Sequence, residues 1–372
     1  MDEWMPVLAL PNLDMRGTLE CPYAAIVPPN DSRVMKLRDA HPRLTTFLST
    51  FSGQFREYVW PSLLLLRADA PPSHYTAEAV ATFRDILSLS VVPYARTIRL
   101  RYNRASGLAF TNIFQFYPWM LDKHFEYMHL VNPAQRHTHL LEEFKGQSFP
   151  ELPQASIMWS DIDVPIAREL LNRWIERFSG RPVAWKDKAL FRSLNMANEA
   201  GRIPALTASV FYDTGRSLAL WVSAYEILAH PGGTGQSNFS TVSALLESVK
   251  WHDQKLATAT HTTPGRVPQQ KQLATWVCRK VYDIRNDYLH GNDVDEADLL
   301  LNGGPVIDFA ACLYRLALTG FLDLHFHIAM PSLEQTEAVA QFISQRRKFM
   351  KFQRAYENAL STAVEPAVFT GC

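Results

Sequence analysis

The chain has 372 residues, 47% of them hydrophobic, which is enough for two domains that each bury a core. Lys and Arg together number 37, as do Asp and Glu, so no overall field attracts the protein to nucleic acid and any RNA binding must use local patches. The four cysteines have no Cys-x-x-Cys spacing. Three disulfide pairings are formally open, but this sparse usage favours a reduced cytosol.

Neither a signal peptide nor a membrane span is expected. The first residues, Met-Asp-Glu-Trp, are acidic where a signal peptide is basic, and no apolar region follows them. The most apolar segment, residues 306–330, contains Asp308, Arg315 and Asp323, which a bilayer core would not accept. We therefore expect a soluble cytoplasmic protein without a membrane partner.

Frequent prolines break residues 1–60, and short apolar runs predict strands there rather than long helices. The predicted strands are residues 7–10, 24–27, 59–67 and 90–92, and residues 75–87 have helical spacing. The run Thr97–Arg104 alternates, which places Arg99 and Arg101 on one face of a further strand. Such a face suits gripping an RNA backbone. It equally suits a solvated edge that protects a sheet from mispairing.

No metal or cofactor site is predicted. Two His-x-His pairs, at residues 137–139 and 325–327, have no nearby carboxylate or cysteine cluster to complete a zinc shell. Asp161-Ile-Asp163 is a lone Asp-x-Asp that is typical of a turn. Gly232-Gly-Thr-Gly235 follows a predicted helix rather than a strand and lacks a Lys-Ser/Thr ending, so it does not predict a nucleotide loop.

After a cluster of small and helix-breaking residues at 179–182, the spacing of apolar residues becomes helical. The predicted helices cover residues 186–201, 216–229, 241–251, 269–290 and 305–330. The second of these is apolar nearly all round, which predicts a buried central helix. Its only acid, Glu226, either pairs with Arg285 on a later helix or lies at a solvated helix edge.

The stretch Val281–Asn292 predicts the end of a helix. Apolar residues recur at steps of four, three and four through Val277, Val281, Ile284 and Tyr288, which is one helix face. Gly291 stands where a left-handed C-terminal cap is expected.

Two side chains just before this cap have the chemistry needed to attack a phosphodiester. Arg285 can clamp a phosphate bidentately and offset charge in a transition state. His290 can move protons near neutral pH. Asn286 can orient one of them, or the phosphate, by hydrogen bonding. The alternative is structural: the Arg and the His stabilise the bundle through Glu226 and the helix-end carbonyls.

A last helix is predicted over about residues 332–362. Its middle interleaves two phenylalanines with cations, among them Arg346, Arg347, Lys348 and Lys351. Basic and aromatic stretches bind RNA backbones. An amphipathic helix whose aromatics dock inward gives the same pattern, and the two interpretations are compatible.

The run Arg285-Asn-Asp-Tyr-Leu-His-Gly291 resembles the signature of the HEPN superfamily (higher eukaryotes and prokaryotes nucleotide-binding domains). The flanking pattern is most similar to its ApeA-like branch, which also has a Glu inside an apolar helix upstream of the motif. The resemblance covers residues 185–330 and implies an α-helical, usually dimeric domain; many members are metal-independent RNases of defence and toxin systems. It assigns catalytic roles to Arg285, Asn286, His290 and Glu226, and implies nothing about the N-terminal half.

The expected fold class is therefore α+β: a mixed α/β N-terminal domain (residues 1–180), an all-α HEPN-like helical bundle (181–330), and a C-terminal helix and tail (331–372). On a regular helix, Arg285 and His290 diverge by about 140° around the axis. They converge if the helix distorts at Gly291, or if two copies of the motif meet across a two-fold axis. The resemblance implies the second solution and thus a homodimer.

The expected function is metal-independent endonucleolytic cleavage of RNA. His290 acts as acid or base for attack by the ribose 2′-hydroxyl, and Arg285 holds the scissile phosphate. The runner-up is a HEPN-type module that binds RNA, nucleotide or a protein partner without chemistry. A third hypothesis, by family analogy, makes the N-terminal domain a sensor of a trigger protein or antitoxin and the helical domain the effector.

Overall fold

A computed structural model describes residues 3–52, 58–115, 119–132, 135–143, 154–202, 210–263, 268–332 and 334–365. Within these ranges the chain forms ten α-helices: α1 (Ser32–Ala40), α2 (Pro42–Leu48), α3 (Ala77–Tyr102), α4 (Val164–Arg177), α5 (Trp185–Ala200), α6 (Val210–Leu228), α7 (Phe239–Glu247), α8 (Leu273–His290), α9 (Val306–Phe321) and α10 (Thr336–Ser361).

The same ranges contain short strands, most of them in the first half of the chain. They are β1 (Trp4–Leu10), β2 (Leu13–Met15), β3 (Leu19–Cys21), β4 (Ala24–Val27), β5 (Ser62–Arg67), β6 (Trp119–Leu121), β7 (Tyr127–Asn132), β8 (Gln135–Leu140), β9 (Ala155–Ile157), β10 (His261–Thr263), β11 (Gln269–Lys271), β12 (Leu300–Leu301) and β13 (Gly304–Pro305). Helices with several small sheets confirm the expected α+β class.

Contacts divide the chain into two compact units. Unit 1 comprises residues 1–88, 110–162 and 170–183. Unit 2 comprises residues 89–109, 163–169 and 184–372. The division falls within α3 and α4, so unit 2 includes helical segments that precede residue 180 in the sequence.

Unit 1 is built on an antiparallel sheet in the order β1-β5-β4-β3. The apolar runs of β4 and β5 are completely buried, and their register pairs Ala24 with Leu66 and Val27 with Leu63. A continuous apolar run suits a strand that is covered on both faces. Side chains from α1, α2 and the β6–β7 hairpin pack against these strands in one core, including Val34, Leu44, Phe47 and Met128.

Helix α6 is the centre of unit 2 and contacts α5, α7, α8 and α9. Its buried side chains include Leu218, Trp221, Val222 and Tyr225, as the all-round apolar pattern predicted. Helix α9 buries even its polar residues. Arg315 of α9 donates to Asp163 at 2.8 Å and to Gln353 of α10 at 2.9 Å, so this buried cation is paired, as a low dielectric requires.

Two of the predicted strands are wrong. Residues 90–92 and 97–102 belong to α3, which runs through Pro93. The apolar run at 90–92 and the alternation from Thr97 favoured separate strands. A proline usually ends a helix because it has no N–H to donate one turn back, but this helix continues through Pro93. Here Pro93 is buried, and the Ser90 carbonyl accepts a hydrogen bond from the Asp163 N–H at 2.8 Å. Tertiary packing thus outweighs the local preference.

The remaining differences concern helix bounds. Helices α1 and α2 fall in the proline-rich region that predicted no long helix, and α9 ends at Phe321, well before residue 330. Within the part of the chain that the structure describes, no helix is both long and apolar enough to cross a membrane.

Candidate functional site

The end of α8 is built as the sequence predicted. Gly291 has a φ of 73°, the left-handed conformation that glycine adopts without a Cβ clash. Its N–H donates to the Tyr288 carbonyl, and the Asn292 N–H donates to the Asp287 carbonyl at 2.9 Å, the paired bonds of a Schellman motif. The Asn292 side chain also donates to the Asp287 carboxylate at 2.8 Å. Hydrogen bonds from the two residues that follow the helix therefore hold its last turn, which carries His290.

The Arg285 side chain is half-buried, and several of its N–H groups have no hydrogen-bond acceptor among the described residues. Its Nη1 donates to the side-chain oxygen of Asn286 at 2.9 Å. Its Nε is buried without a hydrogen-bond partner, and within the described ranges no carboxylate lies at ion-pair distance from the guanidinium. A buried donor left unpaired costs about 1–3 kcal/mol. An oriented guanidinium with open donors suits an external anion.

Glu226 of α6 is engaged by Tyr282 rather than by Arg285. The Tyr282 hydroxyl donates to Glu226 Oε1 at 3.3 Å. Burial raises the pKa of Tyr282, so the hydroxyl remains a donor at neutral pH. The pairing of Glu226 with Arg285, on which the structural alternative depends, is absent from the described part of the chain.

His290 is exposed and has no hydrogen-bond partner among the described residues, so it does not serve the helix-end carbonyls there. Helix α8 stays regular through His290, and the left-handed residue comes after it. A distortion at Gly291 therefore comes too late to turn His290 toward Arg285. Within one chain the two side chains diverge by about 140°.

A close helix crossing supports the last turn of α8. A Cβ at Gly215 of α6 would lie 2.5 Å from Cδ1 and 2.8 Å from Cγ of Tyr288. Such separations are not possible, so the ring rests on the bare backbone of α6. Burial also raises the pKa of the Tyr288 phenol. The spacing of Arg285 and His290 from α6 thus depends on a glycine inside a helix.

The charge around this site is negative. Residues 279–298 contain six carboxylates, two guanidinium groups and one ammonium group, a local charge of −3 with His290 neutral. Asp283 pairs with Arg279 at 2.8 Å. Asp295, Glu296 and Asp298 are exposed on the loop that follows α8. One copy of this site therefore repels a phosphate backbone at long range.

Four of the six residues predicted to bind RNA lie together in unit 2. A groove of about 560 Å³ is lined by Arg101 at the end of α3 and by Arg346, Arg347 and Lys351 on α10. Lys348 is exposed on α10 but does not line this groove. The prediction that Arg101 lies on a strand face is wrong, yet it meets the α10 cations.

Arg99, predicted on the same strand face, also lies on α3. Its Nε is 3.3 Å from the Asp308 carboxylate, and buried Arg96 lies 3.5 Å from the other oxygen of that carboxylate. Burial raises the pKa of Asp308, against the opposing effect of the two cations. Burial likewise lowers the pKa of Arg96 to about 10. Arg99 thus neutralises a buried acid and does not line the groove.

Four further residues belong to these two sites. Arg354 and Asn358 also line the groove, and Gly215 and Tyr282 shape the surroundings of Arg285 and His290. Arg354 follows the α10 cations at helical spacing, and an isolated glycine inside an apolar helix indicates a close approach. Those two signals were available in the sequence. Nothing local distinguishes Tyr282 from any other tyrosine on a helix.

Within the described residues, no three His, Cys, Asp or Glu side chains lie close enough to hold a metal ion. The rings of His325 and His327 stack edge to face with centroids 5.6 Å apart, and the Nδ1 of His327 contacts the His325 carbonyl. The side chains of His137 and His139 lie outside the described residues. Cys21, Cys278 and Cys312 are free thiols.

Comparison with protein-family models, with curated proteins and with solved structures finds no match to this chain. The similarity to the HEPN superfamily therefore rests on residues 285–291 and the apolar helix that carries Glu226, and membership of that family stays a prediction.

Proposed function

We propose that the protein is a metal-independent endoribonuclease of HEPN type whose active site is the end of α8. The observation that carries the proposal is the state of Arg285 and His290. Arg285 has a half-buried guanidinium that Asn286 orients, and its buried Nε has no hydrogen-bond partner within the described ranges. His290 has an exposed imidazole on the capped last turn of α8. Neither takes part in the contacts that a purely structural role requires.

The chemistry follows from these donors. The Arg285 guanidinium holds a non-bridging phosphate oxygen and offsets the charge that develops there. The ribose 2′-hydroxyl attacks the adjacent phosphorus, forming the new P–O bond while the P–O bond to the 5′-oxygen breaks. His290 takes the proton from the 2′-hydroxyl or gives one to the departing 5′-oxygen. The products are a 2′,3′-cyclic phosphate and a 5′-hydroxyl.

The proposal requires two chains. Because a regular helix separates Arg285 and His290 by about 140°, one chain does not aim both at one phosphate. A two-fold axis beside α8 brings Arg285 of one copy to His290 of the other. Because such an interface is isologous, the dimer contains two of these Arg–His pairs. We therefore propose a homodimer that is formed through the HEPN-like helices.

The remaining parts of the proposal follow from family analogy. The protein would act in the cytoplasm as a defence or toxin effector, held inactive by an antitoxin or released by a trigger protein. The free thiols suit a reducing compartment. The alternative function is a HEPN-type module that binds RNA, nucleotide or a protein partner without cleaving it.

The test is an RNA cleavage assay in EDTA, in which wild type is compared with His290→Ala and Arg285→Ala and the product ends are identified. We expect each substitution to lower the cleavage rate by about 10²–10⁴-fold. Wild-type products should end in cyclic phosphate. His327→Ala, which removes an exposed imidazole elsewhere in unit 2, should cleave as wild type does.

Equal cleavage by wild type and His290→Ala would refute the assignment. Cleavage lost in EDTA and restored by a divalent metal would refute the metal-independent mechanism. Binding of RNA without cleavage, by a dimer of confirmed integrity, would favour the binding module.

A further inference from the structure

We propose that the groove between α3 and α10 is a binding track for the backbone of single-stranded RNA, separate from the cleavage site. This inference takes the identity of the polymer from the proposed ribonuclease function. The track itself rests on contacts that α10 makes within unit 2.

The first observation is the accumulation of cations. Arg101, Arg346, Arg347, Lys351 and Arg354 line the groove, and its described lining contains no carboxylate. Cations held close together repel one another. This chain has as many acidic as basic residues, so acids were available to neutralise these cations. Their concentration in one groove favours a polyanionic ligand.

The second observation is that three of these cations have no anionic partner. Within the described ranges, Arg101, Arg346 and Arg347 form no ion pair, and Arg101 is close to the Tyr102 ring at 4.8 Å. Arg346 and Arg347 are exposed. Planar guanidinium groups bind phosphate oxygens in a bidentate manner, which ammonium groups do not.

The third observation is that buried side chains hold α10 in place. Phe352 packs edge to face on Tyr94 of α3 with ring centroids 4.9 Å apart. Buried Gln353 accepts from Arg315 at 2.9 Å and donates to Glu357 at 2.8 Å. Phe352 therefore docks inward, and the cations are left on a helix whose position is fixed.

The packing also explains how Arg101 reaches the groove. Tyr94 and Arg101 are seven residues apart, so both lie on the face of α3 that meets α10. On α10, Arg347, Lys351, Arg354 and Asn358 follow one another at steps of four, three and four, a single stripe about 16 Å long. A single phosphate would not span a stripe of this length.

The apolar part of the lining suits bases rather than phosphates. Phe342, Ile343 and Met350 line the groove beside the cations, and Ile343 is 54% exposed. A neighbouring hollow of about 420 Å³ shares Phe342, Arg346 and Met350 with the groove, so the lining continues beyond it. Cations that follow a backbone beside an apolar surface for bases are the pattern of single-strand binding sites.

The experiment measures binding without cleavage. A fluorescein-labelled 12-nucleotide oligouridylate is titrated with the full chain carrying His290→Ala, in EDTA, at several salt concentrations. We expect Arg347→Glu to weaken binding about tenfold and to reduce the slope of log affinity against log salt by about one. Lys348→Glu reverses the same charge on the same helix outside the groove, and should change the affinity less than about threefold.

Equal weakening by Arg347→Glu and Lys348→Glu would overturn the proposal, as would no weakening by Arg347→Glu. Unlabelled duplex DNA that competes as well as single-stranded RNA, at equal phosphate concentration, would also overturn the assignment to a single strand. Circular dichroism melting curves identify any variant that fails to fold, and Arg347→Gln then replaces it. The binding assay does not depend on cleavage. If Arg347→Glu lost RNA binding and the wild-type protein did not cleave RNA, the binding track would be supported and the proposed ribonuclease activity would be refuted.

Discussion

The end of α8 and the groove beside α10 divide between them what the proposed cleavage of RNA requires. The α8 end has an imidazole and a guanidinium without an ion pair in the described ranges, in surroundings of net charge −3. The groove has five cations and no acid–base group among its described lining residues. The difference teaches that electrostatic attraction of RNA and chemical reactivity are separate properties of this protein. A chain of zero net charge can still concentrate the cations that attract RNA in one groove.

The two sites also differ in what holds them. The α8 end depends on backbone geometry: a left-handed glycine beyond His290 and a bare glycine backbone under Tyr288. The groove depends on side-chain packing, through Phe352 on Tyr94 and the buried Gln353. Substitutions at the glycines should therefore change the cleavage rate and leave RNA affinity intact.

The largest expected effect tests whether the α8 end needs two chains. Arg285→Ala and His290→Ala are each expected to be inactive, but a dimer with one substitution in each chain keeps one intact Arg–His pair. When the two variants are co-expressed with different tags, about half of the dimers contain one chain of each variant. Each of these mixed dimers has one intact site out of two, so about a quarter of the wild-type cleavage rate should return.

Co-expression of two differently tagged Arg285→Ala chains is the matched control and should stay inactive. Mixed dimers as inactive as their parents, when purified through both tags, would show that both residues must act from one chain.

The next effect concerns the contact of Gly215 with Tyr288. Gly215→Ala places a Cβ against Cγ and Cδ1 of Tyr288, atoms at the base of the ring that the backbone of α8 fixes. Overpacking of this kind costs about 1–3 kcal/mol, which exceeds the roughly 1 kcal/mol that alanine gains over glycine in a helix. We expect a lower free energy of unfolding in urea and slower cleavage, with RNA affinity unchanged.

Tyr288→Ala supplies the control for that substitution. With the ring removed, Gly215→Ala should raise the free energy of unfolding by about 1 kcal/mol, because only the helix propensity remains. The same loss of stability in both backgrounds would mean that the ring is not what Gly215 accommodates.

The sequence predicted the α8 end well because its signals are local. The apolar spacing through Val281 and Ile284 defined the buried face, and a glycine after His290 defined the stop. The placement of Arg101 failed for the opposite reason. Alternation over a few residues favoured a strand, whereas contacts with α9 and α10 hold the segment in a helix. Sequence spacing does not contain that packing.

Pairings across the fold were the least accessible to sequence reasoning. Glu226 was expected either to pair with Arg285 or to lie at a solvated helix edge. It accepts a hydrogen bond from Tyr282, which lies one turn before Arg285 on the same helix face. Arg99 was expected to bind RNA, and instead it pairs with buried Asp308 from α9. In each case the residue type indicated a need for a partner, but which of several candidates lies within 3–4 Å is decided by helix packing.

The smallest expected effect concerns Gly291 alone. A Cβ there meets no atom within 4 Å, so a substitution is penalised only by the φ of 73°. Alanine in that conformation costs about 1 kcal/mol, and asparagine tolerates it better. Gly291→Ala should therefore lower the free energy of unfolding in urea by about 1 kcal/mol and slow cleavage through a frayed last turn. Gly291→Asn should do less of both, and neither should change the affinity for labelled RNA. If Gly291→Ala cleaved as fast as wild type despite its lower stability, the rigid cap would be unnecessary for His290, and only Arg285 and its orientation by Asn286 would still distinguish the α8 end from an ordinary helix terminus.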